Sequence, residues 1–244
     1  SGRVSVVTVA MASSVTGVVT DLAPIADGAG HARALFVVDA TSAAPFRTLD
    51  IRKLGADVMV VSAQRWGGPP VAAMVFADPG RIASLESVSL DPRATGPSRL
   101  EPERVSGALL AGTVASVEYL ANLDEDAIGK RRHRLTAAIS GQGEYLDRLM
   151  TYLRSTLENL NQVHVIGESA NRVPLLSFTV AGISADKVVR RLADNGIRAL
   201  TGIPSRALDV MGVNDFGGAI TIGLGPYSTP VEGDHLVRTL ASLG

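Results

Sequence analysis

Cysteine is absent from this chain of 244 residues, which excludes disulfides, thiolate metal sites and a cysteine nucleophile within it. That composition fits the reducing cytoplasm, and a cytoplasmic location is the expectation. Lysine is nearly absent too. Lys53, Lys130 and Lys187 stand against twenty arginines, so any amine chemistry has three candidates. Aromatics make up 4% of the residues, with a single tryptophan, Trp66. The net charge is −1, which argues against a nucleic-acid surface or a polybasic membrane contact. No apolar run approaches the roughly 20 residues of a membrane span. The segment from Val4 to Val19, interrupted by Thr and Ser and lacking a basic lead, reads as strand rather than signal peptide. The four histidines, His31, His133, His164 and His235, are not at metal-ligand spacing, so no metal is expected.

What is present is globular: 46% apolar and 19% charged residues, ample for a core. The first 95 residues repeat one rhythm. Apolar, β-branched runs at Val4–Val9, Ala34–Val38, Asp57–Val61 and Val71–Phe76 alternate with helix-like stretches at Asp21–His31 and Asp50–Leu54. This predicts a partly parallel sheet covered on both faces, its last strand reversed by the Gly67-Gly68-Pro69-Pro70 turn. Leu85–Arg104 reads as irregular connection, and Ser106–Leu123 as a helix of small residues. From Asp124 to Leu160, apolar residues at steps of three, four and seven predict one long amphipathic helix, with Gly141 and Gly143 as candidate bend points. Strands are expected at Val163–Ile166, Leu175–Val180 and Ile220–Leu224, with a helix at Ser184–Asn195. A last helix from Thr229 to Leu243 is opened by Thr229 as N-cap and Pro230 at the first helical position. The chain therefore divides into a large domain, residues 1–123, and a long helix with a small α+β domain, residues 124–244.

Several motifs, in order, carry a family resemblance. Met11-Ala-Ser-Ser-Val-Thr-Gly17 resembles an Asn-Asn-Glu-Thr-Gly turn, and Phe36-Val-Val-Asp-Ala40 a His-Val-Asp-Ala strand end. Leu54-Gly-Ala-Asp57 followed by Ser62-Ala-Gln-Arg-Trp-Gly-Gly-Pro69 resembles Leu-Gly-Ala-Asp and then Ser-x-His-Lys-x-x-Gly-Pro. Gly225-Pro-Tyr-Ser-Thr-Pro230 resembles a Gly-x-Tyr-Asn-Thr helix opening, and Arg99–Val105 is a weaker echo of Arg-Ser-Gly-Thr-x-Asn-Val. Together they resemble the pyridoxal-phosphate (PLP) dependent, fold-type I aminotransferase class V and cysteine desulfurase family. The resemblance implies an α/β fold. Its large domain is PLP-transferase-like but partial, a mixed, mostly parallel sheet with helices on both faces, and a small C-terminal α+β domain follows. It also implies a homodimer with a small amino-acid ligand, and a further stretch of chain that in the family precedes the point where this sequence begins.

Carried over residue by residue, the resemblance places the PLP site at Asp39, Ser42, Ser62, Gln64 and Ser14, with Arg65 at the Schiff-base lysine. Asp39 stands where the family's aspartate pairs with the pyridine nitrogen; the plainer reading is a cap on the turn at Ala40–Ala43. Ser62, which bonds the phosphate in the family, is retained. Arg65 is the decisive departure. A Schiff base and a general base both need a nitrogen that can be neutral, and a guanidinium with pKa above about 12 essentially never is. Its charge suits a phosphate or carboxylate, or a surface salt bridge, and both readings stand. Other positions depart as well. Ser14 and Val15 replace the turn's Asn and Glu, Ser42 a Gln, Gln64 a His and Pro102 a Thr. Thr221 stands where an arginine would clamp the substrate carboxylate, and Ser205 where a persulfide cysteine would lie. A change confined to position 65 would leave these unexplained.

Two functions follow as expectations. One is a degenerate homologue that cannot form the internal aldimine and keeps a binding or structural role. The other is an active PLP-dependent C–S lyase, epimerase or aminotransferase using a lysine from elsewhere or a noncovalently held PLP. Trp66 is expected to pack over its turn, with a substrate-facing ring as the alternative. The basic run Arg131, Arg132 and Arg134 is expected to be a solvated face paired with Glu125 and Glu144.

Overall fold

A computed structural model describes residues 4–243, which form two compact units. The first comprises the chain up to Met11 and Thr20–Ser140; the second comprises Ala12–Val19 and the chain from Gly141 onward. This division falls inside the long helix at 140/141, whereas the pattern of the sequence divides the chain at 123/124.

In the first unit, β1 (Val6–Ala10), α1 (Ala23–Ala32), β2 (Leu35–Asp39), β3 (Val58–Ser62) and β4 (Ala72–Phe76) build a four-stranded sheet in the order β1-β2-β3-β4. The first three strands are parallel and β4 is antiparallel to β3, as the Gly-Gly-Pro-Pro turn predicts. The sheet is thus mixed and mostly parallel. Residues 50–54, expected as a short helix, form turns instead. Asp50 accepts the backbone N–H groups of Arg52 and Lys53 as an N-cap does, but Gly55 at φ +67° ends the stretch after a single turn. After α2 (Gly80–Ser84) and an irregular connection comes α3 (Gly107–Ala121).

The long helix, α4, runs Arg131–Glu158, 28 residues and so about 42 Å. It starts seven residues later than its apolar period suggests. Asp124 holds a turn through the Asp126 N–H, and Gly129 sits at φ +114°, outside helical geometry. Gly141 and Gly143 do not interrupt it. At its start, Arg131 and Arg134 pair with Glu118 of α3, at 3.0 and 3.5 Å, rather than with Glu125 or Glu144. The packing of α3 beside α4 brings together residues that helical spacing along one chain cannot.

The second unit holds a sheet in the order β5-β6-β8-β7, all antiparallel: β5 (Val163–Val165), β6 (Leu175–Val180), β7 (Leu200–Thr201) and β8 (Ile220–Gly223). The helices α5 (Ala185–Asp194), α6 (Arg206–Val210) and α7 (Pro230–Ala241) accompany it. Leu176, Phe178 and Val180 alternate onto one face, with Ile220 and Ile222 beside them. Val188 and Leu192 of α5, Leu236 and Leu240 of α7, and Leu153 and Leu157 of α4 close this core. Neither β7 nor α6 is foreseen by the sequence pattern, being too short to show a period.

α7 begins as its sequence predicts. The Thr229 side chain accepts the Glu232 N–H while Glu232 accepts the Thr229 N–H, a reciprocal capping box with Pro230 following. Thr229→Ala should lower stability by about 1 kcal/mol, read as a drop in the denaturant midpoint; an unchanged midpoint would show that the box contributes nothing. Among the described residues no helix is long and apolar enough to cross a membrane.

Candidate functional site

Parallel strands align their carboxyl ends, and the crevice beyond those ends is where open α/β sheets bind ligands. Here that edge is made by Ala10, Asp39 and Ser62, since Ala10 is in register with Asp39 and Asp39 with Val60. The chain leaving β2 is held by Met11 donating to the Asp39 carbonyl at 2.8 Å and Ala40 donating to Val60 at 2.9 Å. The half-buried Asp39 carboxylate accepts the Thr41 N–H at 2.9 Å through Oδ1. The capping reading of Asp39 is therefore realised on one oxygen. Oδ2 has no hydrogen-bond partner among the described residues, so the carboxylate can serve a ligand as well.

Ser42 lies half-buried in the turn that follows, and Ser62 half-buried at the end of β3. Ser62 precedes a short 3-10 turn, Ala63–Trp66, without capping it through its side chain. Gln64 and Arg65 are exposed on that turn. The turn closes on Gly67 at φ +86°, and Gly68 follows where a Cβ would come within 2.8 Å of Ala63 Cβ and Ser116 Oγ. Trp66 anchors the segment by donating its indole N–H to Ser116 Oγ of α3 at 3.0 Å. Arg65 makes no ion pair among the described residues. A salt-bridge role for it therefore has no support in the first unit, and its five donors face solvent at the ligand edge of the sheet.

Lys53 does not remedy the loss. Lys53 is exposed in the turns before β3, at the opposite end of a five-residue strand from Ser62 and so roughly 13 Å or more away. Lys130 and Lys187 are exposed, one just before α4 and one in the first turns of α5. Covalently held PLP does not fit the residues present, although Asp39 and Ser62 retain the chemistry to hold its ring nitrogen and phosphate. Among the described residues no group of His, Cys, Asp or Glu could hold a metal ion.

The remaining candidates lie in the second unit. Ser14 is exposed on a tight turn, while Val15 is buried with Ile166, Leu208, Val213 and Ala219. Where the resembling turn offers a carboxylate, this one presents an apolar side chain to an apolar cluster. Thr221 is buried, its hydroxyl 2.7 Å from Ser177 Oγ. Ser177 spends its own hydrogen on the Val15 carbonyl at 2.6 Å, so Thr221 is the donor of the pair. The threonine is engaged within its own sheet and supplies no cation for a carboxylate. Ser205 caps α6, accepting the Leu208 N–H at 3.4 Å. It has become a structural cap. Sequence reasoning missed the most heavily bonded polar side chain of this unit, Arg172, which is buried and donates to four backbone carbonyls. Its partners are scattered in sequence, and no motif marks it.

Comparison with known proteins agrees with the motifs. The family model for aminotransferase class V matches residues 1–236. The uncharacterized protein MT3887 of Mycobacterium tuberculosis is 52% identical over 238 residues, spanning 98% of this chain and 60% of that protein. The probable cysteine desulfurase 2 of Mycobacterium leprae is 26% identical over 220 residues, spanning 82% of this chain and 48% of that protein. Among solved structures, the Escherichia coli cysteine desulfurase CsdA matches with a TM-score of 0.81 at 20% identity, over 97% of this chain and 58% of that one. The cysteine desulfurase of Thermococcus onnurineus NA1, in its apo form, matches with a TM-score of 0.77 at 21% identity, over 98% and 59%. These structural likenesses establish the fold. The chain spans about half to three-fifths of the length of these relatives.

Proposed function

The chain belongs to the aminotransferase class V family, and from that premise we propose that it is part of a cysteine desulfurase-like protein that forms no PLP internal aldimine and retains a binding or structural role. The single observation carrying this reading is Arg65 on the turn after β3, at the position the motif gives to the lysine. A guanidinium keeps its proton at any accessible pH and cannot condense with an aldehyde. Two further substitutions bear on substrate rather than cofactor. Thr221 offers no cation to a carboxylate, and Ser205, a helix cap, cannot carry sulfane sulfur. PLP, when bound to a competent site, supplies an electron sink for a substrate carbanion. In this chain Ser62 and Arg65 can donate to an anionic group at the sheet edge, while the Asp39 carboxylate suits a donor or cationic group of the ligand. With this reading go residues 1–123 as the cofactor-type portion, 124–244 as the long helix and small domain, and a cytoplasmic homodimer.

The experiment is titration of the purified chain with PLP at micromolar concentration, followed by borohydride reduction and peptide mass spectrometry. No saturable aldimine absorbance and no stoichiometric lysine adduct are expected. A one-to-one adduct on Lys53, Lys130 or Lys187, or turnover of an amino acid, would instead establish the active PLP enzyme.

A further inference from the structure

A cavity beside the turns that leave the carboxyl ends of β2 and β3 lies wholly within the first unit. It is open to solvent on one side and offers about 200 Å³ between the turn after β2, β3, α3 and the start of α4. A water's share of liquid volume is about 30 Å³, so the space holds roughly seven groups of that size. Its walls are hydrocarbon: Leu49, Val61, Val117, Leu120 and Leu135, with the Trp66 ring among them. Its polar lining residues are Arg47, Thr48, Arg132 and Thr136, and no carboxylate lines it.

The two arginines differ. Arg47 donates Nη1 to the Phe46 carbonyl at 3.1 Å. Arg132 is exposed and makes no ion pair or side-chain hydrogen bond among the described residues. Its neighbours Arg131 and Arg134 both turn to Glu118, and at 100° per residue Arg132 projects from another side of the helix. It also sits in the first turn of α4, where the helix dipole disfavours a cation. A positive side chain retained at a positive helix end, without an acidic partner and over an apolar cavity, gains nothing from the fold itself. An amphiphilic anion would gain from all three features: the dipole, the two guanidinium groups and the apolar walls.

We propose that this cavity binds a small carboxylate with a hydrocarbon body of roughly six to eight carbons, a size set by the cavity volume. The chain packs against the apolar walls and Trp66, and the carboxylate takes the forked donors of Arg132, with Arg47 beside it. The binding groups are Arg132, Arg47 and the apolar walls, not Arg65, so the site does not depend on whether Arg65 excludes aldimine formation.

Trp66 is the sole tryptophan and lines the site, so its emission reports occupancy directly. Hexanoate titrated into the full chain should change Trp66 emission saturably, hexylamine should not, and hexanol should bind weakly. Arg132→Gln should weaken hexanoate by roughly tenfold or more, the usual worth of a charge-assisted bond, and leave hexanol unchanged. Arg132→Lys should recover part of the loss. The far-UV spectrum and melting temperature of each variant control for folding, and the hexanoate–hexylamine contrast on the native chain stands even if a variant fails to fold. The proposal is overturned if hexanoate gives no saturable change, if hexylamine binds as tightly, or if folded Arg132→Gln binds hexanoate as the native chain does.

Discussion

Gly17→Ala is expected to destabilise the second unit by about 4 kcal/mol or more, enough to remove most of the stability of an ordinary domain. Two causes add. Gly17 sits at φ +76°, in the left-handed region that costs an L-residue roughly 1–2 kcal/mol. A Cβ there would also lie 2.1 Å from the Leu175 carbonyl oxygen and 3.1 Å from that of Val173. Those are backbone atoms of β6 and its approach, so neither can swing aside as a side chain would. The turn is fixed in place by Val173 donating to the Gly17 carbonyl at 2.8 Å and Val19 donating to Asn171 at 2.9 Å. The same substitution has the opposite sign elsewhere. Gly28 and Gly30 lie inside α1 with nothing within 4 Å of the added Cβ, so alanine there should stabilise by about 0.5–1 kcal/mol. Denaturant midpoints for the three variants decide the matter. A Gly17→Ala protein as stable as the native chain would refute the close approach to β6.

Arg172→Met should cost about 3–5 kcal/mol, the second large effect. Arg172 is 3% exposed, and its guanidinium donates Nε to Ser169 at 2.8 Å and Nη1 to Thr16 at 2.6 Å. Nη2 donates to Ile166 at 3.2 Å and to Gly167. Burial, reinforced by the nearby Arg154, pushes its pKa below the ordinary arginine value, while Glu158 pulls the other way. The group nevertheless stays charged at neutral pH, because guanidinium is so weakly acidic. Methionine keeps much of the volume but removes the guanidinium donors from the Thr16, Ile166 and Gly167 carbonyls, each an unmet acceptor worth about 1–3 kcal/mol before relaxation, while Ser169 keeps Arg154 Nη1 at 3.0 Å. Lysine has three donors on one atom and cannot span carbonyls spread around a planar fork. The expected order of urea midpoints is therefore Arg, then Lys, then Met. Equal midpoints for Lys and Arg would mean that charge, not fork geometry, is what the site requires.

These two residues also show where sequence reading stops. The strands other than the two-residue β7, the reversed β4, the helix α5 with its Ala185, Val188 and Leu192 spacing, and the Thr229 cap are legible in the sequence, because each depends on contacts a few residues apart. Asp50–Leu54 departs from the expected helix because Gly55, at φ +67°, stops it after one turn, a local terminator that periodicity does not register. The partners of Arg131 and Arg134 were misassigned for the opposite reason. Spacing along α4 pointed to Glu125 and Glu144, but α3 delivers Glu118 from across the helix pair.

The chemistry of the sheet edge divides in the same way. Sequence alone determined that position 65 carries a guanidinium, and protonation of that group is a covalent property no surrounding fold reverses. It also determined that the chain holds neither a cysteine for sulfur nor more than three amines. Tertiary structure decided what the other substitutions became: Ser205 a helix cap, Thr221 a donor to Ser177, Val15 part of an apolar cluster. It alone gathered Arg172 with carbonyls from Thr16 to Ser169, and the cavity walls from Leu49 to Leu135. Such groupings arise from chain segments separated by up to about 150 positions, and the free energy that joins them comes from burial and satisfied polar groups. No pattern of neighbours along the chain encodes that sum.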